Sequence, residues 1–224
     1  MTINQTIADK IYDKLKEDIT ITINIKLGQR VNIKKISKDF NISQIPIREA
    51  LNRLVKDNLI IYKPRRGYYV IKLTYKDMEE IYKLREHFEC LAIELIGSKK
   101  NNQVPKKLQY ICKQIDLNIA SKNFVNQKKQ NFQFHQLIIK SSSNQRLIRF
   151  YNEIIEHLRL LDNLTDRFHE EPKMSNQEHW AIANALENGD INLAIEKMSQ
   201  HIKGVIKHKQ KEIQNYFRED NLDQ

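Results

Sequence analysis

Four residues of this chain have the types and spacing to hold a metal ion. Asn131 and His135 stand four apart in KQNFQFHQLI and share one face of a helix. His179 precedes Gly189 by ten residues, and His201 follows Asp190 by eleven. Asn188-Gly189-Asp190 supplies a helix stop and a fresh N-cap. At about 1.5 Å per residue, each histidine lies some ~15–16 Å from that shared turn. An antiparallel hairpin therefore sets them side by side. A third helix carrying Asn131 and His135 against them completes three imidazoles and one amide oxygen, a donor set suited to zinc, nickel or another first-row ion. On spacing alone the bland alternative stays open, because His87, His157, His169 and His208 show that histidine is used freely. Trp180, beside His179, reads as core. Glu178 offers a metal-dependent hydrolase its general base, but it projects about 100° around the helix from His179.

A second constellation lies in residues 31–67, VNIKKISKDFNISQIPIREALNRLVKDNLIIYKPRRG. Ile33, Ile36 and Phe40 put an apolar stripe on a short helix, Asn41-Ile42-Ser43 makes a turn, and Ser43 is suited to cap the next helix. Ile47, Ala50, Leu51, Leu54 and Val55 recur at helical spacing, and Gln44, Arg48 and Arg53 occupy the opposite face. Leu59–Tyr62 and Tyr68–Ile71 read as strands joined by Lys63-Pro64-Arg65-Arg66-Gly67. This is the layout of a winged helix-turn-helix, which places one helix, here Gln44 to Lys56, in the DNA major groove. Arg48 can fork onto a guanine and Gln44 can pair an adenine edge. Lys63, Arg65 and Arg66 can meet phosphates or the minor groove around the turn that Gly67 permits. The alternative is a packing unit that touches no nucleic acid.

The elements that must position these residues follow from composition and punctuation. The formal charge of +10 is uneven: residues 1–72 hold 15 Lys and Arg against 7 Asp and Glu, and the rest is nearly balanced. That asymmetry favours a polyanionic partner for the N-terminal domain. Residues 5–17 read as a first helix with Ile7, Ile11, Tyr12 and Leu15 inward. Leu73-Thr74 begins a short linker, and almost everything beyond it reads as helix. A helix over 75–96 ends before Gly97, Pro105 and Pro172 each open another, and Gly189 ends the last of these. The expected fold is mostly α: a winged domain with a small β-hairpin over 1–72, then an all-α bundle of about six helices over 73–224. Cys90 and Cys112 have no metal or redox spacing and read as reduced packing residues. No apolar run approaches the roughly 20 residues a membrane span needs, and no signal peptide is visible, so the expected location is cytoplasmic.

Together the constellations resemble the GntR family of bacterial transcription regulators, in its FadR branch. The family pattern Ser-Arg-x-Pro-Val-Arg-Glu-Ala-Leu is matched by Ser43-Gln44-Ile45-Pro46-Ile47-Arg48-Glu49-Ala50-Leu51, with Gln44 standing where the family carries Arg. Arg66-Gly67 matches the wing. The resemblance implies DNA contacts at Lys34, Ser43, Gln44, Ile45 and Arg48 and at the wing residues. The C-terminal region looks like the FCD ligand-binding domain: Arg85 followed four residues later by Glu89, then Phe134-His135, Asn144, Glu178-His179 and His201, in order.

By that resemblance the metal ligands are Asn131, His135, His179 and His201, Asn131 being a form of the first ligand that brings no negative charge. The implied effector is a small organic acid, with Arg85 and Arg159 lining its pocket; the alternative for each arginine is a helix-surface salt bridge. The implied whole is a non-enzymatic repressor that binds a palindromic operator in double-stranded DNA as a homodimer. Two rivals remain, a metal-dependent hydrolase on the three-His site and a DNA binder without sequence preference.

Overall fold

The computed structural model describes residues 5–20, 22, 24–97, 103–165 and 172–219; of the histidines named above, His169 lies outside them. Contacts group the chain into two units. The first runs through Met78 and includes the stretch from Glu153 in a later helix, and the second takes Glu79–Asn152 and the last two helices.

In the first unit, α1 (Ile7–Thr20) begins at a reciprocal cap. Thr6 donates its backbone N–H and its hydroxyl to Asp9, and Asp9 N–H donates back to Thr6 Oγ1. The buried face runs through Ala8, Ile11, Leu15 and Ile19. Ile7 is the exception to the inward stripe: it is 56% exposed, because it sits about 100° off that face in the first turn.

Helix α2 (Ile33–Phe40) has no fully buried residue, and Phe40 is 44% exposed. An eight-residue helix packed on one neighbour covers its stripe only partly. Asn41 at φ 51° turns the chain, and Ser37 Oγ donates to the Ile42 carbonyl at 2.6 Å. Helix α3 (Gln44–Lys56) then buries Ile47, Ala50, Leu51 and Leu54. Ser43 occupies its N-cap position, but its side chain makes no capping hydrogen bond, contrary to expectation. The turn is held instead from the α2 side by Ser37.

Arg53 also departs from expectation. It does not reach outward from α3 with Arg48 but pairs with Asp9 at 2.5 Å and lies 4.2 Å from the Tyr12 ring centroid, tying α1 to α3. The wing is β1 (Ile60–Lys63) antiparallel to β2 (Gly67–Val70), with Ile60 opposite Val70 and Lys63 opposite Gly67. Val31 N–H donates to Tyr68 O and Val70 N–H to Gln29 O, so residues 29–31 extend the sheet. Tyr68 OH donates to Asn52 Oδ1 at 2.8 Å, which fixes the wing against α3.

The remaining helices are α4 (Tyr75–Gly97), α5 (Val104–Ala120), α6 (Phe124–Ser141), α7 (Gln145–Thr165), α8 (Pro172–Glu187) and α9 (Ile191–Glu219). Their number among the described residues matches the bundle of six. Thr74 and Asp77 repeat at α4 the reciprocal cap of α1. Gly97 closes α4 rather than following it, and a Cβ there would stand 2.4 Å from Ile191 Cδ1; only glycine allows that approach to α9. Gly189, at φ 74°, makes the α8–α9 turn, and Asp190 Oδ1 accepts from Leu193 N–H to start α9. Cys90 and Cys112 are unbridged, and burial pushes the Cys112 thiol up to about 12. No described helix is long and apolar enough to cross a membrane.

The Arg53–Asp9 pair makes a pH-dependent claim. Hydrogen bonds from Thr6 and then Arg53 bring the Asp9 carboxyl from 3.8 down to about 2. Its contribution is therefore present above pH 3.8 and is lost as pH falls toward about 2. Asp9→Asn is expected to lower the melting temperature at pH 6, with the gap to wild type narrowing as pH drops below 3.8. A gap that stays constant across that range contradicts the pairing.

Candidate metal centre and nucleic-acid face

Three helices of the second unit deliver the imidazoles: α6 brings His135, α8 brings His179 and α9 brings His201. All three are buried, and their ligand atoms lie within 4.8 Å of one another. The ring centroids of His135 and His201 are 5.3 Å apart, those of His179 and His201 4.7 Å. Phe134 stacks on His179 at 4.3 Å and closes one side with apolar surface. The hairpin geometry expected from the spacing of His179 and His201 is thus present. Asn131 stands one turn before His135 on α6 and is half-buried.

Two carboxylates fix the tautomers. His135 Nδ1 lies 2.6 Å from Glu89 Oε2, and His201 Nδ1 lies 2.7 Å from Glu178 Oε2. A carboxylate only accepts, so each Nδ1 carries a proton, and in the neutral imidazole Nε2 keeps its lone pair. Backing of this kind is the usual support of a metal-bound imidazole. His135 Nε2 and both nitrogens of His179 are buried without a partner, which costs about 1–3 kcal/mol each unless a ligand serves them. Burial holds His135 down at about 4, with Glu89 acting in the other direction, and burial holds His179 well below its ordinary value. His135 and His179 are therefore neutral at pH 7, and three converging imidazoles fit a divalent first-row ion.

Behind this layer, Glu89 accepts from Arg85 Nε at 2.8 Å and Tyr151 OH at 3.0 Å. Burial alone would raise its carboxyl, but the Arg85 charge and the hydrogen bonds from His135 and Arg85 hold it well below the usual carboxylate range. Arg85 is thus neither exposed nor on a helix surface: it is buried against Glu89 behind the histidines. Arg159 belongs to the first unit, where it pairs with Glu156 at 3.4 Å. Glu178, the hydrolase rival's base, is engaged with His201. Trp180 is only half-buried and donates from Nε1 to Asp116 Oδ2 at 2.9 Å, so the core reading is corrected.

In the first unit the expected DNA contacts are on the surface. Lys34, Ser43, Arg48, Lys63, Arg65 and Arg66 are exposed; Gln44 and Gly67 are half-exposed. Ile45 is 77% exposed at the start of α3, an apolar group left outside the core. Lys63 Nζ lies 4.9 Å from the Tyr69 ring centroid, and Arg65 and Gly67 carry the positive φ values (61° and 100°) that make the wing turn. Sequence reading missed Arg30, whose Nε lies 3.6 Å from a Cβ built on Gly67, which adds a cation to the wing. It also missed Tyr151, whose hydroxyl donates to Glu89, and Asn176, whose Nδ2 ties α8 to Cys112 and Asp116 of α5; both contacts depend on which helices face each other.

Comparison with known proteins is consistent with both halves. The pattern of the gntR family of bacterial regulatory proteins matches residues 7–70, and that of the FCD domain matches residues 80–204. An uncharacterised HTH-type transcriptional regulator of Bacillus subtilis, YdhC, is 31% identical over 187 residues, covering 75% of this chain and 82% of the relative. The HTH-type transcriptional repressor RspR of Escherichia coli is 24% identical over 231 residues, 96% of each chain. Among solved structures, Escherichia coli McbR/YncC superposes with a TM-score of 0.78 at 18% identity, over 93% of this chain and 99% of that one; this likeness is one of fold.

The backing carboxylate supplies a direct test. Glu89→Gln is expected to weaken zinc binding about 10–100-fold in competition with a chromogenic chelator, because Gln neither holds His135 in its tautomer as strongly nor balances Arg85. Unchanged affinity would show that Glu89 does not support the ligand set.

Proposed function

Because this chain belongs to the GntR family of bacterial regulatory proteins and carries an FCD domain, we propose that it is a FadR-branch repressor whose DNA binding is set by a small carboxylate held at a metal in its helical domain. The reading assigns residues 1–72 to DNA and 73–224 to effector binding and dimerisation. Zinc or nickel is the proposed ion, with His135, His179 and His201 as ligands and the Asn131 carbonyl as a fourth, uncharged donor. The observation that carries this is the pair of carboxylate-backed imidazoles, His135 on Glu89 and His201 on Glu178, converging with a buried His179 that has no other partner. The bound ion would supply a positive centre that an effector carboxylate completes.

The chain's own residues do the rest. Glu89 and Glu178 keep Nε2 of His135 and His201 free, and Phe134 shields His179 from water. Arg85 acts as a positioning residue through Glu89. On the DNA side, Arg48 and Gln44 read base edges from α3, while Lys34 and the wing cations anchor phosphates. A homodimer presents two such helices to a two-fold operator, and the exposed Leu84 and Leu91, seven apart on α4, offer a stripe for the second copy. Effector release of DNA requires tighter binding to the non-DNA state, by about 1–3 kcal/mol in a typical allosteric protein.

Arg48→Ala is expected to weaken binding to the upstream DNA of the protein's own gene by about 1–3 kcal/mol in fluorescence anisotropy, with zinc binding unchanged. Loss of both functions together, or of neither, would contradict the division of labour.

A further inference from the structure

The helical region sorts its charges by element. From Val104 to Ser141, α5, its turn and α6 hold seven lysines and one acid, Asp116, whereas α4 holds six acids against three cations. Lys106, Lys107, Lys113, Lys122, Lys129 and Lys140 are exposed, and none has an ion-pair partner among the described residues. Cations elsewhere are matched: Lys14 with Asp18, Lys16 with Glu156, Lys203 with Glu86. Asp116 is engaged on α8, where its two carboxylate oxygens accept from Asn176 and Trp180.

Helix α5 lines its cations up. Lys106, Tyr110, Lys113 and Leu117 fall within about 40° of one line along the helix. All four are exposed, Tyr110 at 64%. Like charges in a row repel one another, and an anionic partner turns that repulsion into attraction. Lys106 and Lys113 stand roughly 10 Å apart along the axis, a length over which duplex DNA carries about six phosphate charges. The tyrosine between them adds a hydroxyl, another common donor to phosphate.

We propose that the outer face of α5 is a second DNA-binding surface, which takes the phosphate backbone of a duplex without reading its sequence. This goes beyond the division of labour above, in which only the winged unit meets DNA. The occupant follows from the charge and from the partner the chain already has: a DNA-bound regulator is surrounded by further duplex. The face has no arginine fork for a guanine edge, so it contributes affinity and salt dependence rather than specificity.

The test is fluorescence anisotropy of the full-length protein on a duplex of about 30 base pairs and unrelated sequence, at about 50 to 200 mM salt. Lys106→Gln combined with Lys113→Gln is compared with Lys83→Gln combined with Lys207→Gln, which removes the same charge from exposed positions on α4 and α9. The α5 pair is expected to lower the slope of log affinity against log salt by about 2 and to weaken binding about tenfold at about 100 mM salt. Its zinc affinity and circular dichroism stay at wild type, and the control pair keeps the wild-type slope. An unmoved slope in the α5 pair overturns the proposal, as does an equal drop in both variants, which is an effect of net charge alone. An unmoved slope with a smaller species in sedimentation would assign the face to a second copy of the chain instead. A wild-type protein that binds no duplex at all contradicts the function proposed above together with this inference.

Discussion

A carboxylate with no solvent exposure organises the helical domain. Glu89 sits in α4 at 0% exposure, where an uncompensated charge costs several kcal/mol. Three helices answer it: Arg85 from α4 itself, Tyr151 from α7 and His135 from α6. Because Arg85 already balances the charge, His135 can stay neutral and serve as a donor of Nδ1–H only. Its other nitrogen then faces the space into which α8 and α9 bring His179 and His201. The clustering of the three imidazoles is in this sense a consequence of neutralising one buried acid. Substitutions on α4, distant in sequence from every histidine involved, act on the ligands through it.

The winged unit obeys a different constraint, in that one helix must both pack and read. Helix α3 buries Ile47, Ala50, Leu51 and Leu54 and leaves Arg48 and Ile45 exposed. Its other arginine, Arg53, is drawn onto Asp9 and Tyr12 of α1. Two arginines five residues apart on one helix thus have separate surroundings, Arg53 tied to α1 and Arg48 exposed to solvent. Tyr68 and Asn52 add the second restraint, locking the wing to the same helix. Rigid placement of this kind matters because base-edge hydrogen bonds tolerate little error in angle.

What the sequence made legible was local or periodic. The helix-turn-helix was readable from a contiguous motif, the hairpin from its Gly and Pro, and the His179–His201 pairing from equal distances to one turn. The misreadings of Arg53 and Trp180 share a cause, which is that the deciding partner lies far along the chain. Arg53 looked outward because Asp9 is 44 residues away. Trp180 looked like core because Asp116 is on another helix. Glu178 entered only as the base a rival hydrolase would need, because nothing in its neighbourhood reveals that it accepts from His201. Ser43 failed as a capping side chain although its position was right, because position is set by the backbone and the hydrogen bond by the side chain's rotamer.

The central claim is that three buried imidazoles form one metal site. The most direct test is cobalt(II) titration of the metal-stripped protein, followed by its visible absorption. The account predicts saturation at one ion per chain with the d–d bands of nitrogen and oxygen ligation, displaced by zinc. A featureless titration, with imidazole resonances of His135 and His179 unmoved by zinc, would contradict it and leave the cluster as packing.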